Sequence, residues 1–358
     1  MFPKNAWYVA CTPDEVTDKP LGRKICGEAM VFYRGSDGVV SALEDFCPHR
    51  GAPLSLGSVQ GGQLVCGYHG LTMGCNGKTV SMPGQRVRGF PAIRAFAAVE
   101  RYGFIWVWPG EQALADADKL HHLAWADNPE WAYGGGRFHI DCDYRLMVDN
   151  LMDLSHETYV HASSIGQKEI DETPTKTEVV NHEDGGVEVL TSRFMSNISA
   201  PPFWRMALRG NGLADDVPVD RWQICRFTAP SHVMIEVGVA HAGHGGYGAP
   251  SEHKAAAIVV DFITPETETS HWYFWGMARN FKPDDAALTD TIRTGQHAIF
   301  SEDLQMLEQQ QRNLLAHPAR KLLMLNIDAG GVQSRKVITQ LMDAEAAVVS
   351  QATSEGAA

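Results

Sequence analysis

The sequence predicts an α+β protein of two domains, an all-β domain followed by a domain with an antiparallel sheet and segregated helices. Its 358 residues exceed the roughly 250 to 300 residues that one hydrophobic core usually serves. The first third consists of short apolar runs separated by turn residues, whereas the remainder combines Val- and Ile-rich runs with long glycine-poor segments. A hydrophobic fraction of 44% with 20% charged residues is typical of folded globular chains and excludes a disordered protein.

Charge and cysteine usage narrow the classes of function. Acidic residues outnumber basic ones by 43 to 30, and no cluster of Lys and Arg is present, so we expect no nucleic-acid partner. The start of the chain lacks a cationic and apolar leader, and no apolar run reaches about 18 residues. We therefore expect a soluble, cytoplasmic protein with no membrane contact. The seven scattered cysteines indicate reduced thiols or metal ligands rather than a disulfide framework.

The all-β domain is predicted over residues 1–112. Asn76-Gly77 is a strong signal for a tight hairpin turn between two of its strands. Residues 113–136 change in composition and end in Gly134-Gly135-Gly136, which predicts a connector between the domains. Strands of the first domain are expected at residues 29–33, 39–43, 63–66 and 104–108.

The second domain is predicted over residues 137–358. Residues 143–161 contain no Gly or Pro and have apolar residues at helical spacing, which predicts a helix of several turns. A long glycine-poor segment at 286–315 predicts a second helix, and 334–349 a closing one. Strands rich in Val, Ile, Phe and Trp are expected at residues 222–227, 232–240, 256–263 and 271–277.

Two cysteines and two histidines of the first domain form the first candidate metal site. Cys47 and His49 are separated by one residue, and Cys66 and His69 follow after a gap of sixteen. Thiolates and imidazoles favour an iron–sulfur cluster or zinc over magnesium or calcium. Zinc ligands usually lie two to four residues apart, so the single-residue gap favours a Rieske [2Fe–2S] cluster, with two Cys on one iron and two His on the other.

Asp153, His156 and His161 form the second candidate metal site. Asp153 and His156 share one face of the predicted helix, but His156 and His161 would lie ~140° apart on a regular helix. Both imidazoles can therefore bind one ion only if the helix ends or bulges between them, for which a π-type turn is one route. Two His and one carboxylate with open positions are the ligand set of non-haem Fe(II) oxygenases.

The carboxylate of this second site has to come from elsewhere in the chain. Asp303, within Ser301-Glu302-Asp303-Leu304 of the predicted long helix, is the natural supplier, but spacing alone leaves Glu302, Asp284 and Asp290 as alternatives. An electron-accepting cluster and an open iron site in one chain indicate delivery of electrons to dioxygen.

A source of those electrons is not visible in the sequence. Residues 243–248 match the spacing of a dinucleotide fingerprint, but strand-like text follows them instead of the helix whose N-terminus would hold a pyrophosphate. We predict a glycine-rich loop between strands. Because no P-loop and no ferredoxin cysteine run is present either, a separate reductase is implied.

With both sites in view, the chain resembles the oxygenase components of Rieske non-haem iron aromatic oxygenases, and within them the O-demethylase branch. The similarity covers nearly the whole chain. It includes the two cluster loops, residues 149–161, and the segments Pro3-Lys4-Asn5, Trp7-Tyr8-Val9-Ala10, Thr264-Pro265-Glu266-Thr267-Glu268 and Asp328-Ala329-Gly330-Gly331-Val332.

The resemblance implies a role for each site residue. Asp153 matches the family's bridging carboxylate, which joins a cluster histidine of one subunit, here His69, to an iron-ligand histidine of the next subunit in a homotrimer. Asn150 occupies a position of the active site at which the demethylase branch also has Asn. The catalytic domain is expected to be a helix-grip fold, with a curved antiparallel sheet around a long helix. The implied ligands are Cys47, His49, Cys66 and His69 for the cluster and His156, His161 and Asp303 for the mononuclear Fe(II).

The implied reaction is monooxygenation of an aryl methoxy group, of vanillate or a similar methoxybenzoate. Dioxygen is the co-substrate, and NADH acts only indirectly, through a flavin- or ferredoxin-type reductase. Two rival hypotheses remain. A ring-hydroxylating dioxygenase would use the same metals and form a cis-diol, and a pure Rieske electron carrier would need no second iron.

Overall fold

The computed structural model describes the backbone of residues 1–183 and 185–355 and side chains through residue 348. The chain forms two compact units. The first consists of Met1–His122, Thr264–Glu268 and the chain from Leu341 onward, and the second of Leu123–Ile263 and Thr269–Gln340.

The first unit contains three small antiparallel sheets, with strand orders β1-β11-β10, β2-β3-β4-β9 and β5-β6-β7-β8. The predicted strands at 29–33, 39–43, 63–66 and 104–108 correspond to β3, β4, β6 and β11 and are confirmed. The strands are β1 (Tyr8–Cys11), β2 (Leu21–Ile25), β3 (Glu28–Arg34), β4 (Val40–Glu44), β5 (Ser58–Gln60), β6 (Gln63–Val65), β7 (Thr72–Met73), β8 (Thr79–Ser81), β9 (Ala95–Phe96), β10 (Ala98–Arg101) and β11 (Phe104–Val107).

The predicted hairpin turn at Asn76-Gly77 joins β7 to β8. Gly77 has a φ of 74°, and a Cβ there would lie 2.2 Å from the carbonyl oxygen of Ile93. Glycine fits this turn on both counts, since it tolerates positive φ and a close backbone approach.

Segments distant in sequence complete the first unit. The backbone N–H groups of Cys26 and Gly27 donate to the carbonyls of Pro265 and Glu266 over 2.7 and 3.0 Å. The Glu345 carboxylate accepts from the backbone N–H of Lys4 over 2.9 Å. The predicted division into 1–112, 113–136 and 137–358 follows chain order, whereas these hydrogen bonds join three separate stretches of chain.

The second unit is built on one antiparallel sheet of seven strands in the order β12-β18-β17-β16-β15-β14-β13. The four strands predicted here are β15 to β18; β16 begins at its predicted first residue, and the other strand ends lie one to four residues beyond the predicted ones. The strands are β12 (Ala132–Ile140), β13 (Lys176–Asn181), β14 (Val187–Ile198), β15 (Val219–Thr228), β16 (His232–His241), β17 (Lys254–Thr267) and β18 (Ser270–Arg279). The sheet with its helices confirms the predicted α+β class.

Strand β12 corrects the prediction of a connector up to residue 136. The three glycines lie inside the strand, and a Cβ at Gly136 would be 2.7 Å from the indole ring of Trp275 on β18. Gly136 therefore leaves room for the Trp275 ring, and Gly134 allows the close approach of Thr289 on α5. Composition alone does not distinguish this use of glycine in a sheet from a loop.

Six helices accompany the sheets in the described chain. The predicted long helix is confirmed as α5, which packs against β12 and β18. The closing helix, α6, begins five residues before its predicted start. The helices are α1 (Tyr144–Met152), α2 (Glu157–Val160), α3 (Lys168–Glu172), α4 (Pro202–Gly210), α5 (Ala286–Ala316) and α6 (Ala329–Glu355). Among the described helices, none combines the length and the apolar character that a membrane span requires.

Candidate metal centres

The prediction of one helix over 143–161 is wrong. Helix α1 ends at Met152, because Asp153 has an extended backbone, with φ −134° and ψ 99°. Its carboxylate accepts from the backbone N–H of Ser155 over 3.0 Å and from the Ser155 hydroxyl over 2.9 Å. Such local hydrogen bonding competes with a continuing helix and starts a new one. A 3-10 turn follows, and then the single turn of α2.

His156 and His161 face a common site without a π-type turn between them. His156 precedes α2 and His161 ends it, with φ −108° and ψ 31°. The two rings lie 5.3 Å apart between centroids. The expectation that the helix must end or bulge between the two histidines is met, because the 3-10 turn ends at His156 and α2 ends at Val160.

Asp303 of α5 completes the group. Its carboxylate lies 3.5 Å from Nε2 of His156 and 3.2 Å from Nε2 of His161. Possible ligand atoms of the three residues all lie within 4.8 Å of one another. Within the described chain, Asp303 is 5% exposed and pairs with no Lys or Arg. A buried carboxylate without a permanent cation fits a bound divalent metal, and two imidazoles with one carboxylate suit iron(II).

The other ring nitrogen of each histidine is held in place. Nδ1 of His156 lies 2.8 Å from the backbone carbonyl oxygen of Asp153, and Nδ1 of His161 lies 2.6 Å from the Glu302 carboxylate. These contacts favour an Nδ1–H that donates, which leaves Nε2 free to bind a metal. Asp303 also accepts from the Asn150 amide over 3.2 Å.

Two of these contacts differ from what the sequence suggested. Asp153 reaches His156 through its backbone carbonyl, since its carboxylate caps the following turn. Glu302, an alternative for the metal ligand, instead orients His161. Burial lowers the pKa of His161, but the hydrogen bonds with Asp303 and Glu302 outweigh burial and raise it above its ordinary value. Adjacent helical residues point ~100° apart, so the sequence indicated that only one of Glu302 and Asp303 would face the ion, but not which one.

A cavity opens beside the three residues. It contains about 690 Å³ of space free of protein atoms, part of it open to solvent. Its wall includes His156, His161 and Asp303, and most of the other residues are apolar. They include Leu154, Phe203, Trp204, Val237, Met277 and Phe300. Such a lining suits an aromatic ring.

A buried charged network forms one side of the cavity and was not foreseen from the sequence. Glu157 accepts from Arg221 over 3.1 Å and from the Gln223 amide over 2.8 Å. Arg193 donates to Gln223 over 3.1 Å and forms no ion pair with a described residue. Burial lowers the pKa of Arg221, and Glu157 opposes that shift. Arg221 and Glu157 thus form a buried ion pair in the cavity wall, and Arg193 is linked to that pair only through Gln223. The sequence did contain a signal for this network, because Arg221 and Gln223 occupy alternating positions of an otherwise apolar strand.

The two cluster loops of the first unit close in the same way. The N–H of Cys47 donates to the Ala52 carbonyl over 2.9 Å, and the N–H of Cys66 to the Leu71 carbonyl over 2.8 Å. Each Cys carbonyl then accepts from a glycine, Gly51 or Gly70. The matching geometry presents the side chains of both loops side by side.

The two cysteines of these loops are buried, whereas the two histidines are exposed. Cys47 and Cys66 are each 2% exposed. The rings of His49 and His69 are exposed and lie 4.6 Å apart between centroids. Burial raises the pKa of the Cys47 thiol, and the adjacent Cys66 thiol raises it further. A buried sulfur pair beside an exposed imidazole pair fits a cluster with one iron bound by sulfur and the other by nitrogen.

Comparison with known families agrees with both sites. The model for the Rieske [2Fe-2S] domain matches residues 6–96, and that for the vanillate O-demethylase oxygenase C-terminal domain matches residues 140–344. The chain belongs to the vanillate O-demethylase oxygenase family. The oxygenase is an enzyme, a Rieske non-haem iron monooxygenase, and the resemblance read from its sequence is confirmed.

Relatives extend this similarity over the full chain. A vanillate O-demethylase oxygenase subunit from a Pseudomonas species is 74% identical over 345 residues, 96% of each chain. The oxygenase component of dicamba O-demethylase from Stenotrophomonas maltophilia is 38% identical and covers 97% of this oxygenase and 99% of its own length. A crystal structure of dicamba monooxygenase bound to 3,6-dichlorosalicylic acid superposes with a TM-score of 0.87 at 36% identity, covering 97% and 99% of the two chains.

Proposed function

We propose that the oxygenase removes the methyl group of vanillate, or of a similar methoxybenzoate. The reaction consumes vanillate, O2, NADH and a proton and yields protocatechuate, formaldehyde, water and NAD+. The observation that carries the proposal is the meeting of His156, His161 and Asp303 at the wall of a mainly apolar cavity. The name of the relative with 74% identity supports vanillate as the substrate.

The metal-binding residues follow from the two sites. Cys47, His49, Cys66 and His69 would hold the [2Fe–2S] cluster, and His156, His161 and Asp303 the mononuclear Fe(II). When bound, these groups supply single electrons and the activation of dioxygen.

The chain's own residues bind the substrate and orient the metal ligands. Apolar walls exclude water and hold the aromatic ring, and Arg221 and Gln223 add polar groups to the lining. The backbone carbonyl of Asp153 and the carboxylate of Glu302 fix the two imidazoles, and Asn150 holds one oxygen of Asp303. A fixed ligand geometry and a fixed substrate pose together direct the methyl carbon, rather than the ring, toward the reacting position.

A separate reductase would supply the electrons from NADH. The glycine-rich segment after β16 contains only short 3-10 turns before β17 begins, as predicted, and offers no helix N-terminus of useful length to a pyrophosphate. We further propose a homotrimer in which Asp153 of one subunit accepts a hydrogen bond from His69 of the next. The cytoplasmic location stays a prediction.

Product analysis tests the proposal. Purified protein with a compatible reductase, NADH and vanillate should form formaldehyde and protocatechuate in equal amounts. Iron and sulfide analysis should give about three irons and about two acid-labile sulfides per chain. A cis-diol without formaldehyde would favour the ring-hydroxylating rival, and colourless protein with stoichiometric zinc would overturn the cluster.

A further inference from the structure

Gln296 of α5 has a buried side-chain amide that the mechanism above does not use. The residue is 6% exposed and lines the cavity. Its Oε1 is buried without a hydrogen-bond partner, and the amide makes no hydrogen bond to any described residue. Burying an unpaired amide is unfavourable. A ligand that enters the cavity and pairs with this amide would remove that unfavourable contribution.

The position of Gln296 indicates which end of a ligand it meets. It precedes Asp303 by seven residues, so the two lie on one face of α5, ~10 Å apart along the helix axis. Phe300, 8% exposed, lies between them and also lines the cavity. The amide is therefore at one end of this wall and the metal-facing carboxylate at the other.

In vanillate the hydroxyl group is next to the methoxy group, and the carboxylate is the polar group farthest from the methyl carbon. We propose that the Gln296 amide donates a hydrogen bond to this carboxylate and so sets the distance of the methyl carbon from the Asp303 end. The inference rests on the proposed function. Rotation of the amide exchanges Oε1 and Nε2, so its N–H groups can take the buried position that has no partner, and the Arg221 guanidinium lines the same cavity.

Two substitutions test the contact. Gln296→Met removes the amide at similar size, and Gln296→Glu replaces it with a charge that repels a carboxylate. For vanillate we expect KM and the calorimetric Kd to rise about tenfold to a hundredfold in Gln296→Met, and further in Gln296→Glu, with kcat changed much less. 3-Methoxybenzoate keeps the carboxylate and lacks the hydroxyl. Its KM and Kd should rise by the same factors.

Gln311 supplies a matched control on the same helix. It is 7% exposed, lies outside the cavity lining, and accepts from the backbone N–H of Asp143 over 2.8 Å. Gln311→Met should lower the melting temperature and leave KM unchanged. Gln296→Met should raise KM and leave the melting temperature unchanged, because it loses no hydrogen bond within the protein.

The alternatives give different results. Unchanged vanillate binding in Gln296→Met overturns the contact. Wild-type affinity in Gln296→Glu together with weak binding in Gln296→Met would mean that the amide accepts from the hydroxyl, which also overturns it. If the wild-type holoenzyme binds and demethylates vanillate, these failures concern Gln296 alone. A wild-type holoenzyme that does neither overturns the proposed function and this inference together.

Discussion

The two metal centres differ in how far apart in sequence their residues lie. Cys47 through His69 form the cluster loops within one short stretch, closed by matching backbone hydrogen bonds. The other centre draws on His156, His161 and Asp303, the last of them on a different element. A site built from local loops can be recognised from spacing, whereas a site built from distant elements needs the fold to select its members.

The histidines of the two centres also differ in support. His156 and His161 each have one ring nitrogen held by a partner. The rings of His49 and His69 are exposed, and their nitrogens make no hydrogen bond to a described residue. Orientation is therefore fixed inside the chain at the buried centre. At the exposed centre no described residue fixes the orientation of the rings.

The largest effect is expected from removing the carboxylate of the buried centre. Asp303→Ala should eliminate the mononuclear iron and reduce demethylation to background, while the absorption spectrum of the cluster stays unchanged. Iron analysis and formaldehyde release measure the two effects. Asp290→Ala, an exposed change on the same helix, is the control and should keep full activity. Full activity in Asp303→Ala would return Glu302 to consideration as the ligand.

A change at the exposed centre should alter the cluster without removing it. His49→Cys adds the negative charge of a thiolate, so we expect a lower reduction potential, on the order of 100 to 300 mV. Electron uptake from the reductase would then fall by orders of magnitude, since 59 mV changes a one-electron equilibrium tenfold. Potentiometric titration gives the shift. An unchanged potential would contradict a nitrogen ligand at this position.

Asp153→Asn tests whether the two kinds of centre communicate between subunits. Asn can still accept from Ser155, so the break after α1 and both metal sites should persist. Loss of the charge should slow the oxygen-coupled oxidation of the reduced cluster by orders of magnitude, because a charged acceptor favours the shared imidazole proton. Stopped-flow absorbance follows the cluster, and light scattering follows the trimer. A fully active monomer, or near-normal turnover, would refute the route between subunits.

The smallest effect is expected from the partner of His161. Glu302→Gln keeps a hydrogen-bonding group and removes the charge, which should weaken iron binding about tenfold to a hundredfold. Competition with a chelator measures the affinity. Glu308→Gln on the same helix is the control, since Glu308 contacts Asp141 and Arg312 instead. If Glu302→Gln binds iron as tightly as wild type, Glu302 does not orient His161.

The sequence alone determined the α+β class, eight of the eighteen strands in the described residues, the long helix α5 and the candidate ligands of the cluster loops. Strand periodicity and turn residues depend on a few neighbouring positions. Within each cluster loop the spacing of Cys and His is equally local. The hairpin at Gly77 and the glycine-rich loop before β17 are local in the same sense, and both are found where they were expected.

Tertiary structure decided the rest. The spacing of apolar residues could not show that the Asp153 carboxylate would accept hydrogen bonds from Ser155, where the predicted helix is interrupted. Nor could it choose Asp303 over Glu302, because that choice depends on which face of α5 meets the two imidazoles. The glycines of β12 have a loop-like composition, and only their close neighbours in the fold, Thr289 beside Gly134 and the Trp275 ring beside Gly136, explain their place in a sheet. Spacing identifies groups that share a loop or a turn, but contacts between distant elements depend on how the whole chain packs.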